Sequence, residues 1–129
     1  MMQRFILLGE GYSDLYELLE IARSNQSRIH MLLRLDTTIN SQQKCSLIVI
    51  LKPADPGKLM PLYLSLEGIY HPDVKDTVRY QLFNELATEL NLPIHQLEVK
   101  NSTQFKELEL YYQYLIGVLR LNKYLPPLQ

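Results

Sequence analysis

The stretch LELYYQYLIGVLRL, residues 108–121, constrains the fold more than any other part of the chain. From Leu110 to Leu121 only Gln113, Gly117 and Arg120 interrupt apolar and tyrosine side chains. Phe105, Leu108, Tyr112, Leu115 and Leu119 recur by three and four, which is the spacing of one helix face. A second stripe of Tyr111, Tyr114 and Val118 makes the helix apolar on more than one side, so a single sheet face cannot cover it. Tyr111, Tyr114, Val118 and Leu121 are therefore either candidate interface residues or part of the chain's own core, and a symmetric homodimer is the commonest way to cover such a face. The chain has nine tyrosines and no tryptophan, and phenol rings combine large contact area with a hydroxyl that needs a partner, which suits interfaces and pocket rims. Gly117 lowers helix propensity and would let another backbone come close.

The rest of the chain alternates short strands with helices. Gln3 to Leu8 reads as a buried strand stopped by Gly9 and Gly11. Ser13 then caps a helix with Asp14 and Glu17 near its positive end and a Leu15, Leu18, Leu19, Ala22 stripe. Arg28 to Thr37 alternates in part, placing Ile29, Met31, Leu33 and Leu35 opposite His30, Arg34 and Asp36, although Leu32 breaks the pattern. The polar run Thr37 to Lys44 lacks glycine and predicts a longer hairpin loop, and Cys45 to Leu51 is so continuously apolar that it predicts a central strand. Pro53, Pro56 and Gly57 mark a turn before a fourth strand, Leu62 to Leu66, which Pro61 places near a sheet edge. A helix beginning near Pro72 presents Val74, Val78, Leu82, Leu86 and Leu90 every four residues, followed by a strand from Ile94 to Val99. Asn101 and Gln104 form a capping-box pattern before the last helix. This order predicts an α+β fold, with a ferredoxin-like βαββαβ core, one extra strand, a C-terminal helix and a mostly antiparallel sheet. Residues 1–129 are expected to form one domain.

Thirteen basic against fourteen acidic residues leave a net charge of −1, which argues against nucleic acid or an anionic membrane as the main partner. Cys45 is the one cysteine, so no internal disulfide can form and a reducing, cytoplasmic setting is expected. The apolar run Phe5 to Leu8 is too brief for a secretory signal core, and no window has the roughly 20 apolar residues that cross a bilayer.

The candidate sites are weak. Gly9, Glu10, Gly11, Tyr12 and Ser13 join a strand to a helix like a phosphate-binding turn, but Asp14 stands where that fingerprint has its third glycine. Glu10 and Asp14 would repel a pyrophosphate, so the turn is either a tight connection with a helix cap or the seat of a small amine-bearing metabolite. His30, His71 and His95 are far apart, and only His71 has near carboxylates, Asp73 and Asp76, so no metal is expected. Cys45 has no neighbouring base and reads as a small buried hydrophobe, and no G-x-S-x-G elbow supports acyl transfer. No cofactor is expected and no catalytic residue stands out. The alternative to a non-enzymatic binding module is a small enzyme that gathers Glu10, His71 and Asp73 in one cleft.

LLGEGYSDLYELLEIA, residues 7–22, and YYQYLIGVLRLNKYLPP, residues 111–127, resemble the corresponding stretches of a small uncharacterised family from Gram-positive, spore-forming bacteria. The resemblance runs the full length and implies a stand-alone cytosolic protein, with no activity, cofactor or site residue to carry over.

Overall fold

The computed structural model describes residues 3–7, 13–55, 58–65 and 68–126. Its elements are β1 (Gln3–Leu7), α1 (Ser13–Ser24), β2 (Ile29–Ile39), β3 (Gln42–Leu51), β4 (Met60–Leu64), β5 (Ile69–Tyr70), α2 (Val78–Leu90), β6 (Ile94–Glu98) and α3 (Leu108–Leu121). One mixed sheet runs β1-β4-β3-β2-β6, with β5 added to β3. Its β2-β3-β4 meander is antiparallel, while β1 lies parallel to β4 and β6 parallel to β2. The fold is thus α+β with a mostly antiparallel sheet, but the ferredoxin-like grouping is not confirmed. Two strands lie between β1 and β2, and two between β4 and β6. A split βαβ unit with one intervening strand is therefore widened at both crossovers, because the extra strand enters the middle of the sheet rather than its edge.

β3 takes the central place that its apolarity predicts. Cys45 through Leu51 are all buried. Cys45, Leu47, Val49 and Leu51 pack beneath α1 and α2, against Leu18, Ala22, Phe83 and Leu86. Ile48 and Ile50 point to the other face, where Tyr111, Leu115 and Leu119 of α3 cover them. The second cover for β3 is thus a helix of the same chain. A bulge at His30, between the Ile29 and Met31 pairings, rotates the start of β2 so that Ile29 and Met31 join opposite layers. Ile29 is thus not on the face of Met31, Leu33 and Leu35, whereas Leu32 alternates regularly and is apolar because the helix layer covers its side too.

Several local expectations are corrected. The β2–β3 connection is a tight turn through Asn40 and Ser41, whose φ angles of 51° and 65° give the doubly left-handed geometry that matches strand twist. Asn tolerates this region without glycine. β4 begins at Met60 and lies inside the sheet, so Pro61 is not at an edge. Its missing N–H costs nothing on the β3 side, since β3 pairing starts only at Leu62. Where β4 leaves β3, the Ser65 hydroxyl accepts the Leu47 N–H at 2.9 Å, and β5 takes up the ladder at Cys45.

α2 begins at Val78, with Thr77 as its cap, and residues 72–74 form a separate turn before it. Val74 and Val78 are exposed, and the buried residues are Phe83, Leu86 and Ala87. Val74 lies outside the helix, and because a step of four overshoots the 3.6-residue turn the series from Val78 drifts onto the core only at Leu82, Leu86 and Leu90, which pack against it. Asn91, at φ 56°, closes the helix, and the Leu92 N–H bonds back to the Ala87 carbonyl. Asn101 caps a single 3-10 turn, Ser102–Gln104, and not α3, which starts after a break at Phe105. α3 then buries the i, i+4, i+8 line Tyr111, Leu115, Leu119, leaving Leu108 exposed and Tyr112 half-buried against Phe5.

Two substitutions test this packing. Leu115→Ala, at a position with no exposure, lowers unfolding free energy by about 2–5 kcal/mol in urea, whereas Val78→Ala changes it by less than about 0.5 kcal/mol. Ser41→Gly relieves the left-handed strain in the hairpin and raises stability by about 1 kcal/mol.

Candidate functional site

Arg34 and Asp36 are two residues apart on β2, so both point to the face beneath α2. There they form a polar island in an apolar layer. Asp36 takes Arg34 in a bidentate pair, at 2.7 Å from Nε to Oδ1 and 3.1 Å from Nη2 to Oδ2. From the first turn of α2, the Tyr80 hydroxyl accepts Arg34 Nη1 at 3.0 Å, and its ring lies 5.5 Å from the guanidinium carbon. From the turn after β5, His71 brings Nε2 within 3.3 Å of Asp36 Oδ2. The His71 Nδ1 accepts the Asp73 backbone N–H at 3.1 Å. Nε2 also lies 3.3 Å from Arg34 Nη2, so this nitrogen meets both members of the Arg34–Asp36 pair.

The side chains are nearly dry: Arg34 is 6% exposed, His71 12% and Asp36 15%. Burial alone would lower the basicity of Arg34, but the hydrogen bonds and charges of Asp36 and Tyr80 more than offset it and hold its pKa above the ordinary value. Cys45, opposite Asp36 in the β2–β3 register, feels the reverse. Burial first, and the Asp36 carboxylate second, push its thiol from 9.0 up to about 12, against smaller opposing effects of Arg34 and Arg79. A neutral thiol is a poor nucleophile.

Asp36 and His71 open into a cleft of about 430 Å³ at the carboxyl ends of β2 and β6, also lined by Thr38, Gln43, Glu98 and Lys100. Its wall is held by Asn101, whose amide donates to the Thr38 carbonyl at 2.7 Å and whose Oδ1 accepts from Thr103. The Lys100 N–H donates to the Tyr114 hydroxyl at 3.1 Å, which ties α3 to the same wall. The cleft mixes two carboxylates, an ammonium and neutral amide and hydroxyl groups, a lining suited to a small polar molecule.

Gly9, Glu10, Gly11 and Tyr12 lie outside the described residues, and Ser13 is the first residue of α1. Of Glu10, His71 and Asp73, the structure brings together the last two, with 3.8 Å between His71 Nδ1 and Asp73 Oδ2. Among the interface candidates Tyr111 is buried in the chain's own core, Tyr114 and Val118 are half-buried, and Leu121 is 83% exposed. The Arg34, Asp36 and Tyr80 constellation was not anticipated. Its signal was two opposite charges at an i, i+2 spacing on a strand next to the most apolar strand of the chain. Among the described residues no group of three or more His, Cys, Asp or Glu is placed to hold a metal, and no helix is long and apolar enough to cross a membrane.

The chain belongs to the family described as a domain of unknown function, DUF7147, whose sequence profile matches residues 1–125. No curated protein and no solved structure matches it significantly.

Removing one partner of the buried pair should cost more than removing both. Asp36→Leu strands the Arg34 cation and lowers stability by about 3–5 kcal/mol, while the double variant Arg34→Met, Asp36→Leu loses less in the same denaturation assay. Cys45 should resist iodoacetamide at pH 8 until the chain unfolds. Because the folded thiol holds its proton more tightly than the unfolded one, its contribution is complete below pH 9 and is lost as pH rises from 9.0 towards about 12. Cys45→Ala flattens that part of the stability profile.

Proposed function

We propose that this DUF7147 protein is a non-enzymatic binding module that acts as a homodimer through the outer face of α3 and holds a small polar metabolite beside Asp36 and His71. One observation carries the dimer. Leu110, Gln113, Gly117 and Leu121 form the exposed ridge of α3, and a Cβ added to Gly117 would meet nothing within 4 Å. A glycine inside a helix costs about 1 kcal/mol relative to alanine, and the chain's own packing does not require it here. Close approach of a second backbone accounts for it. An antiparallel pairing about a two-fold axis sets Leu110 against the partner's Leu121 and opposes the two helix dipoles. Tyr114 and Val118 flank the ridge and widen the contact, whereas Tyr111 serves the core.

Binding is favoured over catalysis by the way the polar island is used. Both Asp36 oxygens and both His71 nitrogens are engaged by neighbours in the chain, so neither is poised to take a proton from a substrate. Such a network orients a wall. A cytoplasmic location in a Gram-positive, spore-forming bacterium belongs to the same reading, supported by a lone neutral thiol and by the resemblance of residues 7–22 and 111–127.

Light scattering on the size-exclusion peak tests the dimer. The expected mass is twice the 15.1 kDa chain, and Gly117→Leu halves it while the circular dichroism of the fold is kept. A wild-type monomer at the highest attainable concentration sinks this reading. For the cleft, a thermal-shift series with amino acids and polyols should give a ligand whose stabilisation disappears in Lys100→Ala.

A further inference from the structure

At the opposite end of the β2–β3 hairpin from the polar cleft lies a groove of different chemistry. It has a volume of about 820 Å³, within the usual range for ligand sites, and runs between the end of β3, the start of β4 and the segment that follows α3. Pro53, Met60, Tyr124, Leu125 and Pro126 give it an apolar lining. The ionisable groups around them are His30, Lys52, Arg120 and Lys123 together with the Tyr124 phenol, and among the described residues no carboxylate lines it.

This cationic surround is not a set of ion pairs. Among the described residues none of Lys52, Arg120 or Lys123 meets a carboxylate within 4.0 Å. Arg120 gives its Nε to the Gln3 side chain at 2.9 Å, and Gln3 in turn donates to the Pro126 carbonyl at 3.2 Å, which fixes the guanidinium beside the groove. His30 is held by a 2.9 Å contact between Nε2 and the Tyr124 carbonyl. Both fixed groups belong to the groove's own walls. A chain with a net charge of −1 thus concentrates positive charge around one apolar depression. An apolar floor selects hydrocarbon, and a surround of one sign selects the opposite sign on its head.

We infer that this groove binds an aliphatic monocarboxylate, with the hydrocarbon chain on Met60, Leu125 and Tyr124 and the carboxylate among Lys52, Lys123 and Arg120. Lys52 and Lys123 are exposed and supply charge, while the guanidinium of Arg120, already oriented by Gln3, supplies direction. The site shares no lining residue with the polar cleft, and its contribution from α3 is Arg120 rather than the ridge of Leu110, Gln113, Gly117 and Leu121.

Isothermal titration of the full chain with decanoate, kept below its micelle concentration, tests the inference. Saturable binding of one molecule per chain is expected, with decanol, which has the chain without the charge, and acetate, which has the charge without the chain, each weaker by about tenfold or more. Lys52→Glu with Lys123→Glu should weaken decanoate by about tenfold or more and leave the unliganded melting temperature unchanged, since both side chains are exposed. Absence of saturable binding, equal affinity for decanol, undiminished affinity in the double variant, or binding of an acidic apolar peptide in place of decanoate would each overturn it.

Discussion

β3 buries both of its faces, and the rest of the architecture answers that demand. Seven consecutive residues, Cys45 to Leu51, have no polar side that water could wet, apart from the hydroxyl of Ser46. A strand of this kind is stable only in the middle of a sheet covered above and below. The meander places it between β2 and β4, α1 and α2 cover one layer, and α3 closes the other. Both crossovers therefore carry their helices to one face. The length of apolar surface on α3 is the complement of the second face of β3.

The polar groups sit where that sandwich ends. β2 carries leucines to both layers along its middle and then, at Arg34 and Asp36, turns two charges towards the helix layer. Such a pair is tolerable because each charge has a partner of good geometry, and because Tyr80 and His71 reach it from α2 and from the turn before it. The same carboxylate helps to keep Cys45 protonated, so one residue sets the character of its neighbours in the layer and of the cleft it lines. At the other end of the hairpin the lining changes from mixed polar groups to hydrocarbon ringed by cations. One sheet thus presents two chemically distinct recesses.

Much of this was legible in the chain, and the failures have identifiable causes. The central place of β3 followed from its apolarity alone, and the stripe on α1 reproduced its buried residues Leu15, Leu18, Leu19 and Ala22. The expected α2 face reaches the core at Leu82, Leu86 and Leu90 but not at Val74, which precedes the helix, or at Val78, from which a four-residue repeat drifts, and the hairpin was drawn too long because Asn40 and Ser41 adopt left-handed geometry without glycine. Tyr111 and Tyr112 exchanged roles because the break at Phe105 set the helix phase, which the capping pattern at Asn101 had masked. The ionic cluster escaped notice since its members come from β2, from the turn at His71 and from α2, and only folding brings them together.

Sequence by itself determined the order of the main strands and helices, the central place of β3 and the broad apolar surface of the last helix. Those properties are local: they depend on which side chains recur at 2 or about 3.6 residues, whatever the chain does elsewhere. Tertiary structure alone decided that α3 supplies the second cover within the chain, that Arg34 finds Tyr80 46 positions away, and that Lys52 and Lys123 converge on one groove. Long-range proximity is set by strand order and helix phase, and neither is encoded in a window of neighbouring residues.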